Sequence, residues 1–488
     1  MENATQPVHQ TNIGVRPPKL NIIKADDVKP KPPIKLKVLK PEDVKPNTSM
    51  KLKILKPADV KPADTKSVDT KSADVKLADV KPNKNYDVDN TVEIPIVDEL
   101  DVERSMYLMF DGTFKSPKDL VVGDRLMGVD SLPCTITSVA PIVEKNYLIR
   151  PTKGDSFLIG ESETLALTYS LGKNISWRED KQCYCLKWFS VDDKKQTSKH
   201  FTLKTYKTKE LALSTAESEK LALISDNNFT MKLKDYVKQG KAYRSRCMLY
   251  KVELNFTNEK FEIDPYIIGF WLGDGSASCT SVTTIDPEII EFLTDYFSDM
   301  NLSLKPNKIT YRITSNDNKR SYPGKNKFLN FLKEKNLLNN KHIPTEFLLS
   351  SRKDRLRLLA GLLDSDGSLI DNCYDFIQKR EHLLDQTIFL ARSLGFSAYK
   401  KPCNKVCTNS SKGRVAGTYY RCFICGEGSE EIPVLLARKT ASKRQQIKRV
   451  QVTGINLQDV GERQNYRIVT DRPLFLMADL TVRHRYEE

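Results

Sequence analysis

Hydrophobic positions fall into three textures along this chain. Residues 1–95 set single apolar residues in a lysine-, proline- and aspartate-rich background, with aspartates recurring every five residues at Asp59, Asp64, Asp69, Asp74 and Asp79. From about Ser105 short β-branched runs alternate with turn signals, as in MYLMFDGTFKSPKDLVVGDRLMGV, where Asp111-Gly112 and Gly123-Asp124 mark the turns. The third texture is two nearly uniform apolar stretches that end in acids, Tyr266–Ser276 (YIIGFWLGDGS) and Leu358–Ile370 (LLAGLLDSDGSLI). An apolar helix of this kind carries its terminal carboxylate to the rim of a buried interface, because its side chains pack while its last turn meets solvent or a ligand.

The two stretches share an order of apolar, small, acidic and glycine positions. Gly269 and Gly273 stand four apart in the first, Gly361 and Ser365 in the second, and the acids Asp274 and Asp366 lie 92 positions apart. The repetition predicts two similar subdomains related by a pseudo-dyad. Asp264-Pro265 opens the first helix with an acceptor N-cap and a proline at N1, and Asp354 is the expected cap of the second. A calcium loop at Asp364-Ser365-Asp366-Gly367 is set aside, since the later ligands such a loop needs do not follow.

Composition narrows the partners. The net charge of +15 and pI near 9.1 point to an anionic partner, though ribosomal, membrane-surface and nuclease proteins share that balance. No run of 18 apolar residues exists, so no membrane span is expected, and the polar start MENATQPVHQ argues against secretion. The ten cysteines are then expected as reduced intracellular thiols. Residues 1–95 hold 18 basic and 13 acidic residues and a single aromatic, Tyr86. They cannot bury enough apolar surface to offset ordering entropy, and they read as a disordered repeat tail rather than a DNA arm or import signal. Lys173–Tyr250 is different: 17 Lys/Arg against 9 Asp/Glu are interleaved with Trp177, Tyr184, Trp188, Phe189, Phe201 and Tyr206, which fits phosphate contacts plus groove or stacking contacts.

Leu359-Ala360-Gly361-Leu362-Leu363-Asp364-Ser365-Asp366-Gly367 is a near-literal copy of the motif that names the LAGLIDADG homing endonucleases, and the chain resembles that family. LMFDGTFKSPKDLVVGDRLMG near the start, with Tyr466–Val469 and Phe475–His484 near the end, resembles the Hint fold of inteins. Together they resemble the intein-derived branch typified by the yeast vacuolar-ATPase intein and the mating-type switching endonuclease. The resemblance covers about 105–488 and implies an α+β chain with two pseudo-symmetric LAGLIDADG αββαββα subdomains inserted in an all-β Hint-like domain, behind the tail. Expected boundaries are 1–95 for the tail, 100–255 for the first Hint-like part with a DNA-recognition insert at about 173–250, 256–350 and 351–450 for the subdomains, and 451–488 for the last Hint-like strands.

Splicing chemistry is expected to be lost. By the family's pattern Leu100 stands where the first nucleophile belongs, Thr164 about where a histidine should fall, and His484-Arg485-Tyr486 where His-Asn-nucleophile should end the domain. Nuclease chemistry is expected to be retained. In the family the two helices pack in parallel, which brings Asp274 and Asp366 together; carboxylates forced together repel and call for a cation. The resemblance implies Mg2+, with Mn2+ as a substitute, held by Asp274 and Asp366 and by the backbone carbonyls of Gly273 and Ser365. Asp364 corresponds to a position that caps or packs the helix. Lys341, in Lys341-His342-Ile343-Pro344, matches the family's catalytic lysine before an Ile-Pro step, and within RKTASKRQQIKR (Arg438–Arg449) Lys443 is the expected second basic residue, with Arg444 as its rival.

Cys403, Cys407, Cys422 and Cys425 can be written as a zinc pattern, but Cys422 and Cys425 fall in an expected strand, so buried free thiols are the expectation. The reading is an intracellular, nuclear, monomeric nuclease that cuts a long asymmetric double-stranded DNA site and so starts homing or recombination. The alternatives are a cleavage-inactive DNA-binding protein of the same descent and an active intein.

Overall fold

The computed structural model describes residues 37–38 and 105–487, apart from 171–174, 191–194, 226–227, 258–259, 317–324, 411–412 and 444–448. The expected tail (1–95), except 37–38, and Leu100 therefore lie outside the described residues. What is described is mixed α and β, with several mostly antiparallel sheets and the longer helices interleaved between their strands. Among the described residues no helix is long and apolar enough to cross a membrane.

The outer part is a β unit. Its first long strand, β1 (Pro133–Pro151), is followed by β2 (Thr164–Tyr169) and β3 (Cys247–Tyr250). The chain then makes an excursion and returns to the same sheet two hundred positions later. Lys251, just past β3, donates its backbone N–H to the carbonyl of Gln451 at 2.8 Å, so the points of departure and return are hydrogen-bonded neighbours. Alternation of apolar residues puts Tyr147, Ile149, Leu165, Leu167 and Leu249 into one core. A buried ion pair also crosses this unit: an Nη of Arg483 lies 2.5 Å from Oε2 of Glu163, whose other oxygen accepts from Asn465 at 2.7 Å.

Between β2 and β3 the basic segment forms its own small unit, a three-stranded sheet (Ile175–Arg178, Cys183–Ser190, Lys195–Thr202) packed against the helix Lys209–Ser225. Phe201 is buried with Leu186, Ala212 and Ala216, and Tyr184, Trp188 and Tyr206 pack on that core. A unit this small takes Phe201 into its own interior, while Tyr184, Trp188 and Tyr206 stay half-buried at its edge. Trp177 is half-buried, edge-on to Tyr184 with Lys209 over its ring.

The excursion contains the two acidic helices and repeats one pattern twice. The first half runs α1 (Pro265–Asp274), β4 (Ser281–Thr283), α2 (Pro287–Asp299), β5 (Leu302–Asn307) and β6 (Thr310–Ser315), with sheet order β4-β6-β5. The second runs α3 (Arg352–Asp366), β7 (Gly367–Ile370), β8 (Cys373–Gln378), α4 (Glu381–Ser393), β9 (Lys400–Ser410) and β10 (Gly413–Ile424), with sheet order β7-β8-β10-β9. Strand β11 (Val452–Thr470) then rejoins the β unit, pairing with β3 on one side and, over its length, with β1 on the other.

Helix starts follow local chemistry. Asp264 caps α1, accepting from the N–H of Tyr266 at 2.8 Å, and Arg357 of α3 grips the same carboxylate. The cap of α3 is Ser351, not Asp354: Ser351 Oγ accepts from the N–H of Asp354 at 3.2 Å and donates to its carboxylate at 2.6 Å. The serine sits three residues ahead of the acid, and this cap starts the helix earlier than a lone Asp354 would. Arg355 is fully buried and spends its guanidinium on the carbonyls of Ser350, Ser393 and Leu254 and on the Ser393 hydroxyl.

Candidate active site

Helices α1 and α3 meet through their small residues. A Cβ on Gly269 would stand 2.1 Å from the carbonyl oxygen of Leu358, and one on Gly361 would stand 2.1 Å from that of Tyr266. The helix backbones are thus in van der Waals contact, and a side chain at either glycine would force them apart. One turn on, a Cβ at Gly273 would collide with Ser365 Oγ and come within 3.2 Å of Asp366 Oδ2. Contacts rise in residue number together on both helices, so the two run parallel and finish side by side.

That finish brings Asp274 and Asp366 together, both half-buried. Burial, and then the negative charge of Asp366, push the Asp274 carboxyl up to about 6. The Asp366 carboxyl is also raised by burial, although Lys341 and a 3.0 Å hydrogen bond from Gln378 Nε2 oppose the shift.

Each helix end is closed by a lysine. Lys341 is buried and its Nζ donates to the carbonyls of Leu272 (3.0 Å), Gly273 (3.1 Å) and Gly275 (2.6 Å), satisfying acceptors that the end of α1 leaves open. Burial, reinforced by Arg380, pushes its ammonium down to about 8. The corresponding residue at the end of α3 is Lys439: it is buried, and its Nζ donates to the carbonyls of Leu363 (2.9 Å) and Asp364 (2.8 Å). Burial lowers its ammonium as well. Lys443, the expected second basic residue, is exposed on the far side of Ser442, whose own backbone is tied to Asn372. Its rival Arg444 lies outside the described residues.

The signal for Lys439 was in the sequence. Leu337-Leu338-x-x-Lys341 and Leu435-Leu436-x-x-Lys439 share one spacing, with Leu337 buried in the first segment and Leu436 in the second. Gln378, Arg380 and the Asp286–Arg438 pair were also missed, for want of any motif around them. Asp364 packs the helix: it is 3% exposed, accepts from the Tyr266 hydroxyl at 2.8 Å and from the Leu435 N–H at 2.6 Å, and so links both helices to the segment that carries Lys439.

The donor set at the centre is all oxygen: two carboxylates with the helix-end carbonyls beside them, Gly273 O shared with Lys341. Among the described residues no three His, Cys, Asp or Glu side chains converge on a metal-sized point. Two carboxylates that destabilise each other's charge fit a hard divalent cation that completes its shell with water, as Mg2+ does. Of the four cysteines, Cys422 is buried, its thiol pushed up to about 12 by desolvation, Cys403 and Cys425 are half-buried, and the Cys407 side chain lies outside the described residues.

No model of a known protein family matches the chain. Over 144 residues it is 31% identical to a replicative DNA helicase DnaB of Mycobacterium intracellulare, a match that takes in 29% of this chain and only about a fifth (21%) of the helicase. Solved structures of the homing endonuclease I-DmoI align with 33% of this chain at 14% identity and a TM-score of 0.22. They include complexes with DNA and Ca, covering 82% of that chain, and with DNA and Mn, covering 88%.

Proposed function

We propose that this protein is a site-specific double-stranded DNA endonuclease of the intein-derived LAGLIDADG type, hydrolysing phosphodiester bonds with a divalent metal. The observation that carries the reading is the pairing of Asp274 and Asp366 at the ends of two parallel helices whose backbones touch, each end closed by a buried lysine. Asp274 and Asp366, with the carbonyls of Gly273 and Ser365, would hold Mg2+ or Mn2+. Such an ion supplies charge neutralisation at phosphorus and an activated water.

The chain's own groups do the rest. Asp274 is deprotonated above about pH 6 and Lys341 is protonated below about pH 8, so near neutrality both carry the charge that cation and phosphate require. Gln378 orients the Asp366 carboxylate. Lys341 and Lys439 hold the helix ends in place and present positive charge beside the phosphates.

The β unit serves in this reading as a Hint-like scaffold without splicing chemistry. Thr164 is buried in the sheet, and the His484 ring, also buried, has Nδ1 2.8 Å from the Arg485 carbonyl oxygen with no asparagine to activate. The helicase likeness covers too little of that protein for unwinding to be proposed. A monomer, an asymmetric site, a nuclear setting and a role in homing or recombination belong to the same proposal. The test is to incubate the purified protein with randomised DNA and Mg2+ and sequence the ends produced. Discrete cut sites support the reading, and specific binding with intact DNA would favour the cleavage-inactive alternative.

A further inference from the structure

Among the described residues the repeat tail is represented by Lys37–Val38, which runs parallel to the strand Asn228–Lys232 in the register Lys37↔Phe229 and Val38↔Thr230. On its other side Asn228–Lys232 pairs antiparallel with β2, from Asn228↔Thr168 to Lys232↔Thr164. It is the last strand of the β unit's own sheet, and the tail residues extend that sheet by one. Phe229, Thr230 and Met231 are buried, so the outer row of backbone N–H and C=O groups is what the strand has left to offer a partner.

The docked pair lies in the middle copy of a longer repeat. KLNIIKADDVKP (Lys19–Pro30), KLKVLKPEDVKP (Lys35–Pro46) and KLKILKPADVKP (Lys51–Pro62) follow one another at a period of 16 residues. A leucine, a β-branched residue and a further aliphatic residue recur at the same places: Leu20, Ile22 and Ile23; Leu36, Val38 and Leu39; Leu52, Ile54 and Leu55. Such residues favour an added strand, and Pro41 and Pro57, lacking an N–H, end it in the second and third copies. Between Pro62 and Tyr86 no two large aliphatic residues stand side by side, so the strand pattern is confined to the 16-residue copies there. Ile23, Leu39 and Leu55 stand 82, 66 and 50 positions before Ser105. Effective concentration falls roughly as the three-halves power of tether length, so the copies differ only about two-fold in access to the edge. At about millimolar levels each also outcompetes a second molecule at micromolar concentration.

We propose that the outer edge of Asn228–Lys232 is a docking site for the chain's own 16-residue repeat, whose three copies are interchangeable occupants. Docking covers an edge that otherwise invites strand exchange between molecules, and it holds the repeat beside the basic unit that ends at Ser225.

Hydrogen exchange of the full chain, read on the peptide spanning Phe229–Lys232, tests this, with β2 as the control for folding. Successive residues of a strand point their N–H groups to opposite sides, so both central residues of a copy are replaced: Asn21→Pro with Ile22→Pro, Lys37→Pro with Val38→Pro, and Lys53→Pro with Ile54→Pro. Changing the middle copy alone should leave exchange at the edge within about two-fold of wild type, because the other copies take its place. Changing all three should speed the outward amides about ten-fold or more while β2 stays protected. Fast outward amides in the wild type, protection that survives all three changes, or protection lost with the middle copy alone would each overturn the proposal. Protection that rises with protein concentration would assign the edge to a second molecule and overturn docking within one chain.

Discussion

Helices α1 and α3 are alike where they touch and unlike where they end. Gly269 and Gly361 make reciprocal contacts, each admitting the other helix's backbone. One turn later the equivalence weakens: Gly273 faces Ser365, Leu272 answers to Asp364, and the helices that follow begin at Asp286 in one half and Arg380 in the other. Packing demands symmetry, because close approach fails if either partner gains a side chain. Chemistry does not demand it, and the polar residues around the carboxylates have diverged.

The sharpest break in the comparison comes from the shared acids. Asp274→Asn and Asp366→Asn should each lower cleavage more than about a hundred-fold while DNA binding persists in a gel-shift assay. Normal cutting by either variant would remove that residue from the site. Next come the glycines: Gly269→Ala and Gly361→Ala should each destabilise by about 3 kcal/mol or more, read as a fall in denaturant midpoint, because each Cβ meets backbone rather than a movable side chain. Unequal losses would show that the contact is less reciprocal than it is drawn.

The lysines separate the two halves. Lys439→Met should cut the cleavage rate about ten- to a hundred-fold, while Lys443→Met should leave it within about two-fold. The reverse result would restore the exposed lysine as the partner.

The smallest effect tests the carboxylate pair without DNA. The Asp274 carboxyl sits at about 6 in the fold against an ordinary 3.8, so the metal-free fold pays for ionising it as pH rises through that window. Asp274→Asn should therefore be more stable than the wild type at pH 7.5, by about 1 to 2 kcal/mol after allowance for partial exposure, and the gain should vanish below about pH 4. Added Mg2+ should narrow the gap at pH 7.5 by binding the wild type.

Much of this centre was legible from the sequence because its strongest constraints are local. Small residues spaced four apart, an acid before a glycine, and Asp264-Pro265 at a helix start each act within a turn or two. Lys341, singled out by its Ile-Pro neighbours, lies buried at the end of α1. Lys439 has no such neighbours and sits in a basic run where several residues compete, so only its burial at the end of α3 singles it out. Asp354 is a sound cap in isolation and was outranked by Ser351 three residues earlier. Composition does not report which side of a sheet an aromatic of the basic segment takes: Phe201 went to the small core, and Tyr184, Trp188 and Tyr206 lie half-buried against it.

The hydrogen bond between Lys251 and Gln451 has a kinetic meaning. Strands β1 and β11 pair from Ile136↔Thr470 to Pro151↔Ile455, with register shifts between Asp459 and Gly461 and between Val469 and Thr470, and every one of those contacts joins positions more than 300 apart. Such high contact order makes the β unit slow to close unless the intervening chain first becomes compact. During synthesis β11 emerges after both acidic helices, and a folded excursion whose ends meet shortens the effective loop to a turn. Replacing residues 252–450 by a short turn should leave a β unit that folds faster, which stopped-flow refolding of the two proteins would measure.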